Sequence, residues 1–151
     1  MELNPKIKQA LIKIDFVKRY EELSRKFNDV RTPSNERLRY IDGETVMEMI
    51  RELQYSPQFD PREKFFKIVD EKVGEFTFSV HIILDGAVEL VWVVRENDEL
   101  LLGSPWGTYS RRIIDPSYRI KKPIFGSYED LEEILHVAFE MYEEFKSMLI
   151  Q

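Results

Sequence analysis

Two histidines, no cysteine and one knot of arginines with aromatic rings are the residues of this 151-residue chain from which chemistry could be built. His81 alternates with Ser79 along "EFTFSVHIIL". Acid–base or nucleophilic work there needs a nucleophile within reach and a carboxylate to orient the ring. Glu89 is the nearest acid, and the strand pattern sets it opposite Ile83 rather than beside the imidazole. A structural or solvent-facing histidine fits a half-buried strand better. His136 lies three or four residues from Glu132, Glu133 and Glu140, a spacing that shares one helical face and could gather a weak metal site. Metal-binding helices usually carry paired histidines, and here the face reads as the polar side of an amphipathic helix. The absence of cysteine excludes disulfides, thiolate zinc sites and cysteine nucleophiles. In "GSPWG" the serine is displaced from the place it takes in a hydrolase elbow, and the six glycines form neither GxGxxG nor a GK[ST] terminus. No catalytic residue, metal or cofactor is expected.

The knot runs from Trp106 to Tyr128. Trp106, Tyr109, Tyr118, Phe125 and Tyr128 interleave with Arg111, Arg112, Arg119, Lys121 and Lys122. Aromatic rings and arginine are what protein interfaces enrich, and the same mixture can stack bases and hold phosphates. Trp106, Tyr109, Arg111, Arg112, Tyr118 and Arg119 are therefore the expected partner-binding set. Against this, large aromatics are mostly buried, so Trp106 and Phe125 are also expected to cover the open edge of a sheet. The arginines fit a core poorly, because burying both without partners is too costly.

Charge singles out the same stretch. The chain carries a net charge of -6, which disfavours general affinity for nucleic acid. Residues 104–123 hold Arg111, Arg112, Arg119, Lys121 and Lys122 against Asp115 alone, a balance of +4. Residues 124–151 hold Lys146 against seven carboxylates, a balance of -6. Hydrophobic residues at 43% and aromatics at 13% suit a globular chain able to build one core. The N-terminus is interrupted by Lys6, Lys8, Lys13 and Asp15, unlike a signal peptide. No apolar run approaches membrane-spanning length. A cytoplasmic location is the simplest expectation.

The elements that must hold these residues follow from period and punctuation. Asn4 with Pro5 opens a helix over residues 4–28, apolar on two nearly opposite faces. "RTPSNERLRYID", with Thr32 as cap, suggests a two-turn helix. "DGETVMEMIREL" repeats apolar residues at helical spacing behind Asp42. "QYSPQFDPRE" breaks the helical region. Beyond it the period becomes two: "KFFKIVDEKVG", "EFTFSVHIIL", "AVELVWVVR" and "ELLLG" read as four antiparallel strands. Asp85-Gly86 marks a hairpin. A two-residue turn there would put Glu89 beside Ile82 and spoil both faces, so the preferred register pairs Leu84 with Val88, Ile82 with Leu90, Val80 with Trp92 and Phe78 with Val94, through a longer loop or bulge. Asn97-Asp98 makes the next turn. Residues 104–126, rich in proline and glycine, read as extended loop with one edge strand. From Ser127 a long amphipathic helix closes the chain.

The whole is expected to be a single α+β domain, residues 1–151, with N-terminal helices and a long C-terminal helix packed on one face of a sheet of about four strands. No residue motif links the chain to a named family. The expected function is a non-enzymatic module that binds a protein partner, of the kind represented by small acidic inhibitors and immunity-type proteins, with a homodimer as a further expectation. Two alternatives stand beside it. One is a small-ligand enzyme with a pocket between the sheet and loop 104–126, using His81, Glu89 and Arg111. The other is RNA or nucleotide binding through segment 106–128.

Overall fold

The computed structural model describes residues 2–151. The first helix starts as its sequence dictates: Asn4 accepts a hydrogen bond from the Lys6 amide and Pro5 occupies the first turn. It then stops at Lys13, giving α1 (Pro5–Lys13), and the chain restarts as α2 (Phe16–Lys26) after Asp15, whose φ of 56° is left-handed. The single helix expected over residues 4–28 is thus two helices. The break answers the two-faced pattern: Ile7, Ala10 and Leu11 of α1 and Phe16, Tyr20 and Leu23 of α2 are all buried, which the change of direction at Asp15 allows. Arg19 donates to the freed Ile14 carbonyl at 3.2 Å.

Thr32 does not cap a two-turn helix. Ser34–Glu36 form one 3-10 turn, and Arg37 returns to extended backbone. The physical reason is a competing bond: the Leu38 amide donates to the Phe125 carbonyl at 3.0 Å, which pulls the chain out of helical geometry. Asp42 then caps α3 (Gly43–Glu52), with Val46, Met49 and Ile50 buried as their spacing requires.

The sheet has six antiparallel strands rather than four: β1 (Pro57–Asp60), β2 (Phe65–Ile68), β3 (Glu71–Val73), β4 (Phe76–Leu84), β5 (Val88–Glu96) and β6 (Glu99–Leu102), in the order β1-β2-β4-β5-β6 with β3 also on β4. The additional strands have simple causes. Pro57 begins β1, a position where its missing N–H is tolerated at a sheet edge. β2 and β3 lie on the same side of β4, but Phe66 pairs with Ile82 while Glu71 pairs with Phe78, so the register steps by one residue between them, as across a bulge. In the central hairpin Leu84 faces Val88, Ile82 faces Leu90, Val80 faces Trp92 and Phe78 faces Val94. The loop is Asp85–Ala87, and Gly86 supplies its positive φ of 68°. Asn97 and Asp98, both with positive φ, form the two-residue turn into β6.

One face of this sheet is the core. Phe78, Val80, Ile82, Leu90, Trp92 and Val94 are all buried. Against them lies α5 (Tyr128–Leu149), capped by Ser127, with its stripe from Leu131 to Phe145 buried and Phe145 stacked 4.7 Å from Trp92. A contiguous cluster of buried side chains runs from Leu3 to Phe145. Among the described residues no helix is long and apolar enough to cross a membrane.

Candidate functional site

Segment 104–126 is loop only in its second half, residues 114–126, with an isolated bridge at Ile124. Residues Trp106–Ile113 form a helix, α4, with Pro105 at its N-cap. Pro105 and Gly107 punctuate its start without preventing it, because proline at a helix N-terminus sacrifices an amide that has no intrahelical partner.

α4 divides the expected partner-binding set by helical geometry. Its inner side carries Trp106, 2% exposed, and Tyr109, fully buried. Trp106 meets Phe16, Tyr20 and Trp92 edge-on, with centroids 5.1, 5.2 and 5.4 Å away. Tyr109 plugs the edge of β5: its hydroxyl accepts from the Trp92 amide at 3.0 Å and donates to the Trp92 carbonyl at 3.2 Å. Burial drives its hydroxyl pKa upward, so the phenol remains a neutral donor. The Tyr20 pKa is pushed up to about 12, chiefly by burial and then by the Glu89 charge. Further along β5, Val91 bridges Pro105, Ala87 bridges Ile124, and the Val88 amide donates to Pro123 at 2.9 Å. The segment therefore closes the stretch of β5 that β6 leaves unpaired. Trp106, Tyr109 and the fully buried Phe125 belong to this closure and present no surface to a partner.

The outer side of α4 carries Arg111 and Arg112, both half-buried. With Glu2, Thr108, Ile114, Asp115 and Pro116 they line an open cleft of about 500 Å³. Arg111 donates to Thr108 Oγ1 at 3.1 Å. Asp115, the acid nearest in sequence, is engaged elsewhere: its carboxylate accepts from the Ser117 amide at 2.8 Å and hydroxyl at 2.9 Å, and these bonds hold its pKa below the ordinary value. Neither arginine forms an ion pair among the described residues. Ile114, 54% exposed, adds an apolar side chain to the same rim.

The other expected members are tied down separately. Tyr118 bonds to Glu21 of α2, which raises its pKa. Arg119 donates to the Pro116 and Tyr118 carbonyls at 2.8 and 3.2 Å, closing its own turn. Lys121 faces Asp29 at 3.8 Å and Lys122 faces Glu89 at 3.6 Å. Thr108 and Ile114 escaped the sequence reading, because only the helical turn between them and the arginines makes one surface of the four.

Each histidine has its own packing or ion-pair contact. His81 stacks on Phe65 at 4.6 Å, and burial followed by the Lys67 charge lowers its pKa. The neighbouring Ser79 hydroxyl is turned away to the Ile68 carbonyl at 3.0 Å. His136 pairs with Glu140 at 2.8 Å. Among the described residues no three His, Asp or Glu side chains converge on a point where a metal ion would sit. A second polar cluster, in which Lys146 holds Glu71 at 3.0 Å and Glu143 at 2.9 Å while Tyr142 donates to Glu71, ties α5 to β3 with its hydrogen bonds made internally. Comparison of the chain with protein-family models, with curated proteins and with solved structures gives no match.

Proposed function

We propose that this chain is a non-enzymatic protein-interaction module, of the kind represented by small acidic inhibitors and immunity-type proteins, which grips a carboxylate-bearing segment of its partner at the α4 cleft. One observation supports the reading above the others: Arg111 and Arg112 stand side by side, half-buried, in a surface cleft, and no carboxylate of the described chain pairs with either. Guanidinium groups in such a setting have shed part of their hydration and keep their forked donors for an incoming acceptor. Ile114 supplies the apolar contact that an anchored segment needs beside its charge. Against the nucleotide reading, three of the five rings that would stack bases, Trp106, Tyr109 and Phe125, are in the core, while Tyr118 and Tyr128 are half-buried.

The test is a pair of variants, Arg111→Ala with Arg112→Ala and, as control, Arg62→Ala, titrated with a fluorescent oligoglutamate peptide at low and physiological salt. The native chain and the control should bind with shifts of the amide resonances of Thr108–Pro116, and the double variant should lose roughly tenfold or more in affinity. Binding that survives the double substitution, or shifts confined to another surface, would refute the assignment. Capture from a lysate with the same two proteins then identifies the physiological partner as the species that the control retains and the double variant loses.

A further inference from the structure

The face of the sheet turned away from the helices has its own order. Each helix packs toward inner-face residues, whereas Phe65, Ile83, Val91 and Val93, half-buried on the outer face, lie outside the core cluster and its fringe. The pairings arrange that face in levels. At the hairpin end Asp60 pairs with Phe65 and Ile83 with Glu89; next come Lys67, His81 and Val91; then Ser79 with Val93; and at the far end Lys72 pairs with Thr77 and Thr77 with Arg95. One end thus carries Asp60 and Glu89, the other Lys72 and Arg95, while Lys67 lies between them and the Asp70 charge reaches His81 of the middle row. Neither Lys72 nor Arg95 has an ion-pair partner among the described residues.

We propose that this face seats a second copy of the chain, the two sheets packing face to face about a two-fold axis that lies in the interface and crosses the strands. Such an axis reverses the strand direction and keeps each strand over its counterpart. Glu89 then meets the partner copy's Arg95, Phe65 lies over its Lys72, Ile83 lies over its Thr77, and Val91 lies over its Val93. The two charges of β5 thus find their opposites across the axis, and Val91 and Val93 stack at the centre, the self-complementarity that an isologous contact requires. Sheets pack in this way about 10 Å apart with strands near 30°. The six strands, at about 3.3 by 4.8 Å per residue, offer about 520 Å² per protomer, or about 1,050 Å² in all, just above the roughly 1,000 Å² that a biological interface clears. Within the chain, Glu89 already faces the exposed Lys122 at 3.6 Å, and Asp60 accepts from the Arg62 and Glu63 amides at 2.9 and 3.1 Å.

Sedimentation of the full chain with charge-reversal variants tests this directly. The native chain should be dimeric at tens of micromolar. Glu89→Arg and Arg95→Glu should each weaken the dimer by about tenfold or more, because each places like charges together. The double variant Glu89→Arg with Arg95→Glu restores the opposite-charge contacts and should recover to within about threefold of the native constant. Circular dichroism confirms that each variant is folded. A native chain monomeric up to about millimolar concentration overturns the proposal, as does a dimer unmoved by the single reversals or not restored by the double. Val93→Asp, at the centre, should give a folded monomer, and a dimer that tolerates it lies on another face.

Discussion

Trp106 and the two arginines that follow it sit on one short helix yet have different roles. Trp106→Ala should destabilise the fold by roughly 3 to 5 kcal/mol in thermal or urea denaturation, since it empties the space between Phe16, Tyr20 and Trp92. Trp106→Phe should cost clearly less, because the indole N–H has no acceptor within the chain and its removal relieves a buried donor. Replacing Arg111 and Arg112 together should leave the melting temperature nearly unchanged. His81 supplies a pH signature. Its pKa is lowered in the fold, mainly by burial, from an ordinary 6.5. The unfolded chain therefore takes up the proton first, so stability is complete above about pH 6.5 and declines as the pH falls below it. His81→Gln should flatten that part of the profile. A decline that persists unchanged in the variant would place its origin elsewhere.

At the scale of elements, α5 carries the clearest burial. Leu135→Ala or Phe145→Ala should each cost roughly 2 to 5 kcal/mol in chemical denaturation, and two variants with native stability would contradict the packing of this helix. The same element was the most legible in sequence, because its cap and its stripe repeat one message over 22 residues. The register of β4 and β5 was also legible, since sliding it by one residue would have turned Glu89 onto the apolar face. α4 was not legible: Pro105, Gly107 and Pro116 outweighed an eight-residue helix whose stability comes from Trp106 and Tyr109 docking on distant residues. The break at Asp15 was hidden for a similar reason, as both flanks favour helix and only packing tells them apart. β1 was masked by prolines that an edge strand accepts.

Across the whole molecule, distant parts of the chain meet where no local signal marks the contact. Gly126 is an example: a Cβ there would lie 2.9 Å from the Thr32 methyl and 3.0 Å from the Glu36 carbonyl. Gly126→Ala should cost roughly 1 to 3 kcal/mol, read by thermal melting, because backbone cannot move aside cheaply. The candidate site was half legible for the same reason. Charge counting placed it within residues 104–123, but the division of that segment into buried rings and outward arginines depends on where α2 and β5 lie.

The hydroxyl of Tyr109 on the backbone of Trp92 also sets an order of events. The hairpin of β4 and β5 joins neighbours in sequence and can zip early, whereas Tyr109, 17 residues beyond Trp92, arrives only when α4 docks. During that interval the margin of β5 is a bare ladder that will accept any passing strand. Tyr109→Phe should therefore show its defect most plainly in time and concentration. Its refolding yield should fall more steeply than that of the native chain as protein concentration rises, even where the refolded fraction is native in structure. The tyrosine is in this sense a latch whose closing ends the period in which the newly folded chain is adhesive.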